Sequence, residues 1–409
     1  MKKELSNLPL RKYVILFGTQ TLSLIGSKLV DFSLIWWLTS VSRSATVLAI
    51  ASIMAVLPQV LIGPFTGAYI DRWNRRIVMI VADSIIALIT FVLVLLYFVN
   101  TINVWYIYFG IFFRSLLGTF QWTAMQAATS LMVPDRNLSR VAGLNQSLNA
   151  LANIIAPPLG ALLLSLMPIQ NVLLIDIGTA PFAIIPLFLI SIPKLIHSKR
   201  ELKQSVLLRI REGMRFLWEW KGIRWIIIIA MLVNFLTIPA ISLLPIHVKE
   251  FFNKGIIELA YLETAYGIGI ILGGFALGVR GGFKRRVLTA LVALASTGIG
   301  LIIFGFTPTN LFIIAIVSLF FSVFMYTIAN GIIFAILQSI VPPEIQGRVF
   351  SLLLSLSTGV APLGLAISGP IADTFGVSFW YILGGVLILL SSAVSFFIPT
   401  IRYIEKTTF

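Results

Sequence analysis

Cysteine is absent from the 409 residues, which excludes disulfides and thiolate metal sites. Charge is scarce: Asp, Glu, Lys and Arg make up 11% of the chain, about half of what a soluble domain carries. Acids are the rarer sign, 15 against 30 cations, for a net charge of +15. No Gly-x-x-x-x-Gly-Lys-[Ser/Thr] phosphate loop exists, and Gly-Lys never occurs as a dipeptide, so ATP is not a directly bound fuel. There is no metal-ligand cluster, no nucleophile–base pair and no loop large enough to hold an enzyme site. Neither a catalytic centre nor a cofactor is expected.

Apolar residues fill the space those absences leave. They make up 58% of the chain, and mean hydropathy is +1.01. Only a bilayer can hide that much apolar surface, so the expected class is an all-α integral membrane protein. The basic start "MKKELSNLPLRK" precedes an apolar stretch far longer than a signal-peptide core, without a small-residue cleavage site. It reads as a retained first span.

Spans are expected near 13–39, 45–70, 77–99, 104–131, 141–167 and 171–192, then 223–248, 257–279, 287–306, 309–341, 347–372 and 376–399. Placing the amino end inside makes the charge bias one-sided. Three cations then fall outside (Arg43, Lys249, Lys254) and two within spans (Lys28, Arg114), while the rest face the cytoplasm with both termini. This asymmetry makes anionic lipid, not nucleic acid, the partner of the excess charge. The 193–222 connector is basic and carries Val206, Ile210, Met214 and Leu217 at helical spacing, as a helix lying on the inner leaflet would.

The halves echo each other. "MVPDRNLSRVAGL" (132–144) aligns with "IVPPEIQGRVFSL" (340–352), and "APPLG" (156–160) with "APLG" (361–364). The expected organisation is a six-helix lobe at 1–192, the connector at 193–222 and a second six-helix lobe at 223–409. Six spans repeated in parallel is the layout of a two-lobed secondary transporter.

The inner turn "GAYIDRWNRR" (67–76) crowds an acid and three arginines between two apolar spans. The arginines hold the turn on the cytoplasmic side, but Asp71 adds little to topology and asks for another explanation. Gly67 is expected to allow close helix contact. The pattern Gly-x-x-x-Asp-Arg-x-x-Arg-Arg resembles the signature loop of the major facilitator superfamily. That resemblance implies a conformational latch made of Gly67, Asp71, Arg72, Arg75 and Arg76, with Asp71 facing the positive end of the helix that starts near Gly347. Asp83 is expected to pair with these inner arginines. "RSLLG" (114–118) resembles the family's fourth-helix pattern linked to proton coupling. Gly143, Ala152, Ala156, Pro157, Gly160 and Ala161 follow the fifth-helix spacing of its antiporters. Over nearly its whole length the chain resembles the macrolide-efflux branch of the drug:proton antiporters. This implies a monomer in a bacterial cytoplasmic membrane that expels a small lipophilic substrate in exchange for protons. A same-fold carrier of a lysolipid or siderophore is the alternative, and a membrane protein without transport is the third.

Ionisable groups at membrane depth are functional candidates by default. Lys28 and Asp31 are three residues apart on one helix face. Arg114 lies roughly 15 Å into span four at helical rise. These three are expected to meet in one wet pocket, where Asp31 carries the proton and changes its pairing as it does so. Glu263, with no cation flanking it, is the second candidate carrier. Asp176 and Glu263 are expected as wetted acids towards the outer side, and His247 as an outer-surface residue. Gln121, Trp122, Gln126, Asn234, Tyr326 and Asn330 combine amides with aromatic rings, as a pocket for a bulky amphipathic ligand requires.

Overall fold

The computed structural model describes residues 8–190, 192, 220–280, 283, 285–341 and 343–402. Among these the regular structure is helical throughout. The long helices are α1 (Leu8–Ser42), α2 (Ala45–Arg72), α3 (Arg75–Phe98), α4 (Val104–Met132), α5 (Asp135–Leu166) and α6 (Ile169–Leu189). They resume with α7 (Lys221–Ser242), α8 (Ile256–Arg280), α9 (Arg286–Phe306), α10 (Phe312–Ile340), α11 (Pro343–Gly359), α12 (Ala361–Phe375) and α13 (Val377–Phe397). α11 and α12 form one pass, interrupted at Val360, because Pro362 starts a fresh helix in its first turn. Among the described residues, eleven passes are long and apolar enough to cross a bilayer. α4 matches them in length but carries Arg114, Gln121 and Gln126.

Helix ends depart from the apolar runs where capping decides them. α5 starts at Asp135, six residues before its apolar stretch, because Pro134 sets the entry and hydrogen bonding continues through "DRNLSR". α7 stops at Ser242, and a short turn over Leu244–Ile246 leads into a π-turn over His247–Phe251. The connector at 193–219 lies outside the described residues.

The chain forms two compact units, Met1–Ser42 with Ile50–His197, and Arg43–Ala49 with Ser198–Phe409. In the first, α1 packs on α5 and α6, and α3 on α4 and α6. In the second, α7 packs on α12 and α13, and α9 on α10 and α13. The pairing repeats with an offset of one six-pass unit, as the sequence repeat implies. Both α4 and α10 span 29 residues and end on an extended valine, Val133 or Val341.

Small residues set the close approaches. A Cβ on Gly298 would stand 2.5 Å from the Gly385 carbonyl oxygen, and a Cβ on Gly385 2.6 Å from that of Gly298, so α9 and α13 touch backbone to backbone. In the first unit a Cβ on Gly160 would meet the Phe32 ring at 2.7 Å, and Ala156 is buried beside it on α5. Gly67 and Gly143 differ: nothing among the described residues lies within 4 Å of the Cβ either would carry.

Residues 43–49 cluster with the second unit for a visible reason. Asp373 at the end of α12 accepts from the backbone N–H groups of Ala45 (2.6 Å) and Thr46 (3.0 Å). It also accepts from the hydroxyls of Thr46 (2.6 Å) and Ser44 (2.9 Å). A carboxylate placed on a helix start satisfies donors that have no partner within the helix.

Candidate functional site

Four helices of the first unit bring polar groups to one place. Arg114 of α4 is 5% exposed, and its Nη1 donates to Asp176 Oδ2 of α6 at 2.8 Å and to the Thr90 hydroxyl of α3. Its Nη2 donates to the backbone oxygen of Ser27 in α1 at 3.3 Å. Asp176 is 2% exposed and accepts two further bonds, from Ser27 Oγ and Thr90 Oγ1, both at 2.9 Å. Asp31 stands 3.6 Å from Arg114 Nη2 on the other side, with half of its side chain (51%) exposed. The guanidinium therefore holds one dry carboxylate and one wet one.

This geometry corrects the expected surroundings of Asp176. It is no wetted surface acid but the fixed partner of Arg114. The reason is composition: Ser27, Thr90 and Arg114 converge on it and supply the donors a buried carboxylate needs. Lys28 and Asp31 share a face, yet no ion pair joins them. Asp31 reaches across to α4 instead. All three charges line a cavity of about 390 Å3 together with Gln20, Gln59, Asp83, Gln121 and Trp122.

Asp83 joins this cavity too, against expectation. It is buried, accepts from Gln20 Nε2 at 3.1 Å, and pairs with no cation among the described residues. Gln121 Nε2 donates to Gln20 Oε1 at 2.7 Å, so an amide relay links Gln121 to Asp83. Gln20 carried no signal in the sequence beyond being an amide in an apolar span. Gln126, five residues beyond Gln121, is exposed and lines neither this cavity nor those of the second unit.

The turn between α2 and α3 is built by Asn74, whose side chain caps α3 by accepting from the Arg76 N–H at 3.1 Å. Arg76 Nη2 donates to the Phe188 carbonyl at 2.6 Å, neutralising the last turn of α6. Arg75 is buried and Arg72 exposed. The side chain of Asp71 lies outside the described residues.

In the second unit, Asn234, Tyr326 and Asn330 line one cavity of about 450 Å3 whose other walls are mostly aliphatic, Ile226, Val233, Leu294 and Leu337 among them. Glu263 is half-buried on α8, with no hydrogen bond or ion pair among the described residues, within electrostatic reach of Tyr266. His247 is not on the surface. It is fully buried, ringed by Phe251, Phe252, Phe304 and Tyr381 at centroid distances of 4.8–5.2 Å, and neither ring nitrogen has a hydrogen-bond partner among the described residues. Burial pushes its imidazole down to about 3.

Repeated six-pass units, an ion cluster at membrane depth and an amphipathic cavity define a polytopic membrane transporter. The major facilitator superfamily profile matches residues 16–365, and the chain belongs to that family. It is 32% identical to macrolide efflux protein A of Streptococcus pyogenes over 96% of this chain and 97% of that one. It is also 25% identical to the multidrug efflux pump Tap of Mycolicibacterium fortuitum, covering 96% of each. Among solved structures, a bacterial homologue of the iron transporter ferroportin in its inward-facing state superposes with a TM-score of 0.72 at 15% identity, covering 94% of this chain and 98% of that one. A bacterial homologue of the human lysosomal transporter Spinster gives 0.71 at 14%, covering 97% and 96%. At these identities the structural likeness speaks for the fold alone.

Proposed function

We propose that this protein exports lipophilic drugs, macrolides first among them, in exchange for protons by alternating access across a bacterial cytoplasmic membrane. The observation that carries the coupling is the unequal pair of carboxylates on Arg114. Asp176 is buried and held by three donors, so it anchors the guanidinium. Asp31 is half-exposed in the polar cavity and makes only the longer contact, so it is the group that can take a proton. Protonation removes its charge, loosens α1 from α4 and leaves Lys28 as an unbalanced cation in the cavity. That change favours one access state over the other, and the proton gradient drives the cycle without a bound nucleotide.

The similarity to a macrolide efflux protein and to a multidrug efflux pump supports the direction and the cargo class. The mostly aliphatic cavity edged by Asn234, Tyr326 and Asn330 suits the body of such a cargo, with Gln121 and Trp122 offering contacts in the polar cavity. The 67–76 turn serves as the conformational latch, with both termini cytoplasmic and the monomer as the working unit. Reconstitution tests the reading. In proteoliposomes an imposed pH gradient is expected to drive erythromycin export by the wild-type chain and to leave Asp31→Asn without pH dependence. Export by Asp31→Asn with an unchanged response to the gradient would overturn the assignment of Asp31.

A further inference from the structure

Two cavities of the second unit share a wall. The first, of about 450 Å3, lies along the start of α7, the start of α9 and the end of α10, and is mostly aliphatic. The second, of about 300 Å3, lies further along α7 and is edged by Thr237, Tyr266, Thr297, Ser322 and Tyr326. Asn234 and Tyr326 line both. Each volume falls in the range that holds a drug-sized molecule, roughly 300–1,000 Å3.

The polar groups of the second chamber divide into those already used and those left over. Thr237 donates to the Val233 carbonyl (2.8 Å), Thr297 to Ala293 (3.0 Å), Ser322 to Thr297 (2.9 Å), and the Asn234 amide to Ala230 (2.9 Å). The hydroxyls of Tyr266 and Tyr326 have no protein partner among the described residues. Both tyrosines are half-buried and line the chamber, so their phenol donors are available to whatever fills it.

We infer that the two chambers form one site for a lipophilic, oxygen-rich ligand. Its apolar body fills the first chamber, and ether, ester or carbonyl oxygens accept from Tyr266 and Tyr326 in the second. Tyr326, on the shared wall, is the residue that sets this specificity. The inference rests on the export reading only in taking the ligand to be the cargo.

Equilibrium binding to the purified full chain in detergent micelles tests it with two probes. Erythromycin carries ring-ester, ether and carbonyl oxygens, whereas tetraphenylphosphonium is lipophilic and has none. Tyr266→Phe and Tyr326→Phe remove a hydroxyl and keep the ring. Each is expected to weaken erythromycin binding about tenfold and leave tetraphenylphosphonium within about twofold. Ala230→Phe, which fills part of the first chamber, is expected to weaken both probes. Retained tetraphenylphosphonium binding shows that each tyrosine variant is folded. Unchanged erythromycin binding in both tyrosine variants, equal loss of both probes, or no saturable binding of either probe to the wild-type chain overturns the inference. The assay contains no gradient, so it reads the site separately from proton-driven export.

Discussion

Removing the charge of Asp176 is the most informative single perturbation of the first unit. Asp176→Asn keeps the shape but leaves the Arg114 guanidinium, 5% exposed, without its only dry counter-charge. Breaking a buried pair by removing one partner costs about 3–5 kcal/mol, because the remaining charge stays desolvated. Asp31 offsets little of this from 3.6 Å with half of its side chain in the cavity, where a pair contributes at most about 1 kcal/mol. Reversible unfolding of the purified chain in mixed micelles should therefore show a loss of at least about 3 kcal/mol for Asp176→Asn and under about 1 kcal/mol for Asp31→Asn. Pairing Arg114→Met with Asp176→Leu should recover more than half of the loss, since neither buried charge then remains. Equal stability losses for Asp176→Asn and Asp31→Asn would refute the division of roles between anchor and carrier. A double variant no better than Asp176→Asn alone would refute the electrostatic origin of the cost.

Two further outcomes follow from the second unit. His247 has an ordinary value of 6.5 when exposed and about 3 when folded, so the unfolded chain binds the extra proton between those limits. The His247 contribution to stability is fully present above about pH 6.5 and falls as pH drops towards 3, on the order of 1.4 kcal/mol per unit, so His247→Phe should unfold with a shallower profile over that window. Asp373→Ala removes the cap on the start of α2 and should cost about 1 kcal/mol in the same unfolding assay. A Ser44→Ala control, which spares the two backbone bonds, should cost clearly less.

Much of this molecule was legible one residue at a time. The apolar runs at 104–131 and 287–306 foretell α4 (Val104–Met132) and α9 (Arg286–Phe306) nearly to the residue. The Val-Pro repeat at 133 and 341 marks equivalent joints in the two units, and Lys28, Asp31 and Arg114 stand out simply as charges in apolar spans. The burial of His247 was not legible, because its cage draws on Phe304 and Tyr381 from helices far along the chain. Asp83 misled for a related reason: its depth along α3 suggested the inner arginines, but its azimuth faces Gln20 of α1.

Span positions, their number and the topology expected from them come from the sequence by itself, because the cost of placing about twenty residues in hydrocarbon is a local sum. Which acid Arg114 holds was settled only by the tertiary structure. Asp31 and Asp176 sit on different helices, and no periodicity records how α1 and α6 turn about their axes when they pack. Packing put Asp176 in the dry interior among three donors and left Asp31 at the water's edge. That difference in solvation, invisible in two identical side chains, is what separates a buried counter-ion from one that faces the cavity.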